Sequence, residues 1–485
     1  MSRLSFATLP SANASEDILL PPPGAADQGI GILHLGIGAF HRAHQAVITQ
    51  DATRITGDDR WGICGVTQRS SSVRDQLVTQ DGLYGVLERS PERTRLRLVG
   101  AVRDVIYPAE QQAALDARFD DPAVAVLTLT ITEKGYTRDG HGALDVADPL
   151  VAHDLAGGAP KSAVGRLVRG LQTRSRGTGA PLTVLSCDNL NGNGEVLARL
   201  VADFCAALPT AEGDPLAQWL EANVTFPCSM VDRIVPATTA ADRSFAQSML
   251  GLTDEGLVVA EPFRQWVIEN DFAADRPAWE LAGAQLTTDV APYELMKLRV
   301  LNGSHSTLAY LGALAGYATI AETVADESLL AVARGLITED VIPTLRAPDG
   351  TDLAAYGAEV LNRYANPALA HRTIQIAMDG SQKLPLRLLG TVRDNLAAGR
   401  KPQWAARGVA AWMAYVASPA ARTGLALPID DPMAARLTTD ARGQSDPARI
   451  VNALLAHPEI FGDDLPQDDW FRTELISNVR DLLIR

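Results

Sequence analysis

One short passage does most to restrict what this chain can fold into. Residues Ile30 to Leu35 form an apolar run, followed by Gly36-Ile37-Gly38-Ala39-Phe40 and then the helical text HRAHQAVITQDATRI. A strand, a G-x-G turn and a helix in that order make the opening unit of a parallel α/β sheet. Glycines let the backbone come close to a pyrophosphate, and the helix start presents free N–H groups and a positive dipole end. The third glycine of G-x-G-x-x-G is replaced by His41. A tight turn without a ligand is therefore the competing reading of these residues taken alone.

The text that follows extends the pattern. Trp61 to Thr67 (WGICGVT) reads as a second strand, separated from the first by a crossover helix. Dinucleotide sites selective for NAD often place an acidic residue at this strand end, to bind the ribose hydroxyls. Here the chain has Thr67, Gln68 and Arg69, which leaves NAD and NADP both open, and Arg69 suits a 2′-phosphate. Val124 to Thr132 (VAVLTLTIT) and Pro181 to Cys187 (PLTVLSC) are β-branched runs of the kind that form buried parallel strands. Their tails carry Thr132, Glu133 and Lys134, and Asp188 and Asn189. Ligands gather outside the carboxyl ends of such strands. Asn189 has a second reading as the N-cap of a helix over 192–208. The stretch 223–231 reads as a further strand leading into Asp232-Arg233, a pair that could be only a local ion pair.

From about Tyr293 the texture changes to Ala/Leu/Arg-rich segments at helical spacing: 305–318, 327–345, 351–364, 384–398, 403–417, 447–455 and 467–484. The expected architecture is α/β: a lead-in arm over 1–28, a Rossmann-like doubly wound domain over 29–288, and a mostly α-helical domain over 289–485. The second domain opens with Y293-ELMKLRVLNGSH-S306. On a helix turning about 100° per residue, His305 falls near 80° and Asn302 near 140° from Lys297, so three polar heads share a face. An amine, an amide and an imidazole together can move a proton and steady an alkoxide. A polar surface helix is the plainer alternative. The chain has five lysines among 43 basic residues. A lysine inside such a motif suits a role that a permanently charged guanidinium cannot fill.

Composition narrows the function classes. Net charge is −15 and no basic stripe is present, which argues against a nucleic-acid partner. The first residues lack the charged start and apolar run of a secretory leader, and the apolar run Leu308 to Ile320 suits a buried helix better than a membrane span. The cysteines at 64, 187, 205 and 228 form no CxxC pair, so a reduced, cytoplasmic protein without disulfides is expected. His41 and His44 have a ligand-like spacing without a third partner, and no G-x-S-x-G elbow appears. Neither a metal enzyme nor a serine hydrolase is expected.

Together, GILHLGIGAFHRAHQA (31–46), WGICGV (61–66), TEKGY (132–136), SCDN (186–189), MVDR (230–233), EPFRQWVIENDF (261–272), YELMKLRVLNGSHS and IAMDGSQKLP (376–385) resemble the mannitol dehydrogenase family of polyol-specific long-chain dehydrogenases. The resemblance runs in order over most of the chain. It implies a metal-independent oxidoreductase that transfers a hydride between NAD(H) and a secondary alcohol or ketone of a sugar derivative. By the same resemblance Lys297 is the acid/base. Asn189 and Asn302 stabilise the alkoxide, His305 supports them, and Glu294 takes part in proton exchange. Asp232 and Lys383 lie near the substrate, and the cofactor is held by Gly36, Ile37, Gly38, Ala39, Phe40, Thr67, Arg69, Thr132 and Lys134. Mannitol enzymes of this type tend to carry arginine where Gln375 stands. The wording HRT-x-QIAMDGSQKLP is closer to the fructuronate reductase (mannonate oxidoreductase) branch. A sugar-acid substrate is therefore expected, with Arg372 or Lys383 meeting its carboxylate. The alternatives are a mannitol or arabinitol 2-dehydrogenase and a non-catalytic NAD-sensing protein. The expected partner is a small sugar acid or polyol, with the protein a monomer or small homo-oligomer.

Overall fold

The structure, a computed structural model, describes residues 2–484. The chain divides into two compact units, one ending at Ala291 and the other beginning at Pro292.

In the first unit, strands β1 (Ile30–Leu35), β2 (Gly62–Val66), β3 (Val102–Ile106), β4 (Val126–Leu129), β5 (Leu182–Ser186) and β6 (Val224–Thr225) form one sheet in the order β3-β2-β1-β4-β5-β6. Every neighbouring pair is parallel. Every residue of β2, β4 and β5 is buried, as expected for strands covered on both faces. Leu33, Leu127 and Val184 point into one apolar cluster, whereas Ile32, Val126 and Leu185 point into another. Alternate residues of each strand thus feed opposite faces. Strand order reverses between β1 and β4, which places the crevice of a doubly wound sheet at their carboxyl ends.

Three expectations are corrected in this unit. The helix after the glycine turn is two helices, α1 (Ala39–Ala43) and α2 (Gln45–Thr56), broken at His44. Beside the break, the carbonyls of Arg42 and Ala43 accept tertiary donors, the Tyr84 hydroxyl (2.8 Å) and the Arg233 guanidinium. The stretch 223–231 is not one strand. Phe226-Pro227-Cys228 separates β6 from β7 (Ser229–Asp232), which belongs to a different sheet with β8 (Gln265–Glu269) and β9 (Gln285–Thr287). A proline cannot donate to a ladder, so the run stops there. The lead-in is not loose. Leu4 is fully buried and its N–H donates to Thr253 O at 2.9 Å, while Ile18–Leu19 pairs in parallel with Leu96 and Arg97.

The second unit is helical. With α3 the first unit's Asn193–Ala207, helices α4 (Ala291–Met296), α5 (Ser304–Ala315), α6 (Leu353–Tyr364), α7 (Gln403–Ala417) and α8 (Asp469–Ile484) are longer or site-bearing members of the second unit. Helix α5 is buried from Ser304 to Leu314 and α7 along most of its length, the pattern of core helices. Lys297–Gly303, between α4 and α5, is a π-helical segment, as are Leu336–Val341 and Pro385–Leu389. No helix among the described residues is long and apolar enough to cross a membrane.

Candidate functional site

The carboxyl ends of β1, β2 and β4 enclose a cavity of about 240 Å³, lined by the Gly36–Gly38 turn, residues 67–70, Val73 and residues 130–132. Gly36 has φ +99°, and a side chain there would lie 2.2 Å from Thr130 O. Only glycine permits this approach of the two strand ends. The turn is tied down from below. Thr130 Oγ1 donates to Gly36 O at 2.8 Å. His34 Nε2 lies 3.1 Å from the same carbonyl, and His34 Nδ1 is 2.7 Å from Thr128 Oγ1. His34 Nε2 is also 3.0 Å from Thr130 Oγ1. Burial lowers its pKa to about 3, so the ring stays neutral. His41, in the place of the third glycine, stacks on His34 with ring centroids 3.3 Å apart. The position that weakened the motif in the sequence is thus filled by a ring packed under the turn.

The tail of β4 is held by an aspartate. Asp188 is buried and accepts the N–H of Ile131 and of Thr132, both at 2.9 Å, and the Tyr136 hydroxyl at 2.9 Å. Thr132 has φ +67°, a conformation that a non-glycine residue keeps only under constraint. Its own N–H and that of Ile131, both held by one carboxylate, supply that constraint. Burial raises the pKa of Asp188, and these hydrogen bonds oppose the rise. Asn189 follows on the surface. It is not a helix cap, because the helix Asn193–Ala207 begins after Gly192, and Asn193 spends its amide on Asp188 O and Ser229 O. Asp232 is buried at the end of β7. Its neighbour Arg233 pairs with Glu88 at 2.8 Å, so the anticipated Asp232–Arg233 ion pair is replaced by a longer-range one.

Of the nine residues expected at the cofactor, Gly36, Ile37, Gly38, Thr67, Arg69 and Thr132 line this cavity. Ala39, Phe40 and Lys134 do not. Gln68, Ser70, Val73, Thr130 and Ile131 join the lining without having been singled out for it. Their only signal in the sequence was adjacency to the strand ends.

In the second unit, Lys297 and Asn302 lie on the π-helical segment and His305 on the first turn of α5. The π segment changes the expected geometry, since its hydrogen bonds run i→i+5 and the uniform 100° step does not apply across it. Lys297 and His305 are buried, Asn302 and Glu294 half-buried, so the plain surface-helix reading is excluded. Gly303 explains part of the local packing, because a side chain there would meet Arg387 O at 2.8 Å. The His305 ring lies on Tyr364 (centroids 4.9 Å) and edge-on to His371 (4.9 Å). Its Nε2 is buried without a hydrogen-bond partner among the described residues. Burial first, then the charge of His371, Arg387, Arg363 and Lys383, hold its pKa well below the usual range. Arg387 donates to Ser306 Oγ at 3.0 Å, and Lys383 Nζ to Ile376 O at 3.3 Å and also to Met378 O. Arg372 and Gln375 are exposed at the start of the short helix Thr373–Ile376. Asp379 occupies the N-cap position of the helix Gly380–Leu384, and Ser381 is bonded to Asp431. Tyr364, Arg363 and Arg387 were missed in the sequence, since nothing local marks them.

Both units match known proteins. The Mannitol dehydrogenase Rossmann domain model matches residues 30–281, and the Mannitol dehydrogenase C-terminal domain model matches 289–483. D-mannonate oxidoreductase of Escherichia coli is 46% identical over 444 residues, 90% of each chain. Mannitol 2-dehydrogenase of Cereibacter sphaeroides is 38% identical over 92% of each. The structure of Pseudomonas fluorescens mannitol 2-dehydrogenase in a ternary complex with NAD and D-mannitol superposes with a TM-score of 0.86 at 36% identity, covering 99% of this chain and 96% of the other. The chain belongs to the mannitol dehydrogenase family and is an oxidoreductase acting on CH–OH groups.

Proposed function

We propose that the protein interconverts a 2-keto-uronate and an aldonate, D-fructuronate and D-mannonate, with NAD(H) as cofactor. The observation that carries the sugar-acid reading is the cationic setting of His305, where Arg387, Arg363 and Lys383 all act on one buried imidazole. A sugar carboxylate offers charged acceptors to basic side chains in this neighbourhood, which a neutral polyol does not. The 46% identity to a D-mannonate oxidoreductase points the same way. A neutral polyol is the second reading, favoured by the 36% identity to a mannitol-bound enzyme.

The residues around the glycine turn fit a dinucleotide. A side chain at Gly38 would meet only Gly36 O, at an ordinary contact distance of 3.7 Å, and the turn bounds the cavity. A nicotinamide bound there supplies the hydride donor or acceptor. The protein's own part is to handle the proton and the oxyanion. Lys297 takes the alcohol proton in oxidation and returns it in reduction. Asn189 and Asn302 donate to the developing oxyanion, and neutral His305 offers a ring nitrogen without adding charge. Glu294, one turn before Lys297, passes the proton onward. Asp232 orients substrate hydroxyls, and Arg372, Gln375 and Lys383 read the far end of the substrate.

The test is nicotinamide absorbance with fructuronate, tagaturonate, fructose and xylulose as separate substrates. Fructuronate is expected to give the highest kcat/KM. Fructose or xylulose outperforming both uronates would transfer the assignment to the polyol reading.

A further inference from the structure

The cavity at the end of β2 contains no acidic residue. Its lining at this end is Thr67, Gln68, Arg69 and Ser70. Discrimination in favour of a ribose 2′-hydroxyl uses a carboxylate, which accepts from the hydroxyl and repels a phosphate. Every charged or amide group available here is a donor. Arg69 is exposed and makes no ion pair among the described residues. Gln68 is oriented from behind. Its Oε1 accepts from Arg166, a buried residue anchored on Pro160 O at 3.0 Å. That leaves Gln68 Nε2 as a buried donor without a partner among the described residues. The carboxylates of the helix that follows β2, and of the residue its Arg74 pairs with, are engaged with other groups. Asp75 accepts from Ser71 Oγ at 2.7 Å and pairs with Arg74, which also holds Glu110 at 2.7 Å.

We propose that this cavity accepts a 2′-phosphorylated nucleotide, with Arg69 as the phosphate-binding side chain and Gln68 and Ser70 as further donors. The protein then takes NADP(H) as well as NAD(H). A guanidinium presents paired N–H donors that match phosphate oxygens, and a 2′-phosphate brings the acceptors that Gln68 Nε2 lacks. The proposal rests on the nicotinamide reading above and names the determinant of cofactor breadth within it.

Titration of the full-length protein with NADH and with NADPH, followed by nicotinamide fluorescence without any sugar, tests it. The expected dissociation constants lie within about tenfold of each other. Arg69→Asp is expected to weaken NADPH at least about tenfold more than NADH, and Arg69→Lys to restore part of the difference. As a second probe, 2′,5′-ADP is expected to compete better than 5′-AMP against the wild type, and to lose that advantage in Arg69→Asp. NADH binding with NADPH more than about a hundredfold weaker overturns the proposal while leaving the proposed reaction intact. Equal weakening of both nucleotides by Arg69→Asp also overturns it. Binding of neither nucleotide overturns this proposal and the nicotinamide reading together.

Discussion

The imidazole of His305 lies against the phenol ring of Tyr364 at 4.9 Å and 17°. The Tyr364 hydroxyl donates to Leu301 O at 2.6 Å and sits 3.1 Å from Ser304 Oγ. One side chain from α6 thus holds both the ring of His305 and the end of the π segment that carries Asn302. Tyr364→Phe keeps the stack and removes the hydroxyl. The expected result is a loss of about 1–3 kcal/mol in stability and a fall in kcat with KM little changed. Urea unfolding and steady-state kinetics check it. Unchanged kcat would show that the hydroxyl contributes to stability alone.

Lys297 is buried on the π segment, and its proposed proton transfer requires a group that can lose its proton. Lys297→Ala is expected to lower kcat by about 10²–10⁴-fold while nucleotide binding stays near wild type. Lys297→Arg is expected to be similarly slow, because guanidinium remains protonated. Rapid turnover by the arginine variant would remove Lys297 from the acid/base role.

Asp188 holds Ile131, Thr132 and Tyr136 at once. In Asp188→Asn one carboxylate oxygen becomes an NH₂ group facing a donor. The expected cost is about 1–3 kcal/mol in stability. NADH binding should also weaken, because Thr132 lines the cavity and loses its constraint. Thermal unfolding and fluorescence titration read the two effects separately. Unaltered NADH affinity would mean that the strained backbone at Thr132 is maintained without Asp188.

Asp340 supplies a pH dependence. It is buried, and burial raises its pKa from 3.8 to about 6 although it accepts the N–H of Ala405 at 2.7 Å. Between these values the folded protein holds a proton that the unfolded chain has released. Its contribution to stability is therefore complete below the unfolded value and is lost as pH rises through about 6. Asp340→Asn keeps an acceptor and does not titrate. Its stability relative to wild type should rise by at most about 1.4 kcal/mol per pH unit across that window. Urea unfolding at several pH values measures the slope. A flat difference would show that Asp340 does not titrate there.

The alternation of buried strands, the G-x-G turn and the helical second half were legible in the sequence, because periodicity and glycine placement report local backbone preference and burial. The stretch carrying Lys297, Asn302 and His305 also stood out there, because those residue types carry their chemistry in themselves. The structure alone decided what surrounds them. At the break at His44, Tyr84 and Arg233, each far along the chain, donate to the Arg42 and Ala43 carbonyls. The π turn under Lys297, the grip of Asp188 on Thr132, and the meeting of Tyr364, Arg363 and Arg387 around His305 likewise depend on contacts between distant segments. Local sequence determines which backbone shapes are favourable and which groups can react. Which donors meet which acceptors across long separations is determined only when the core closes.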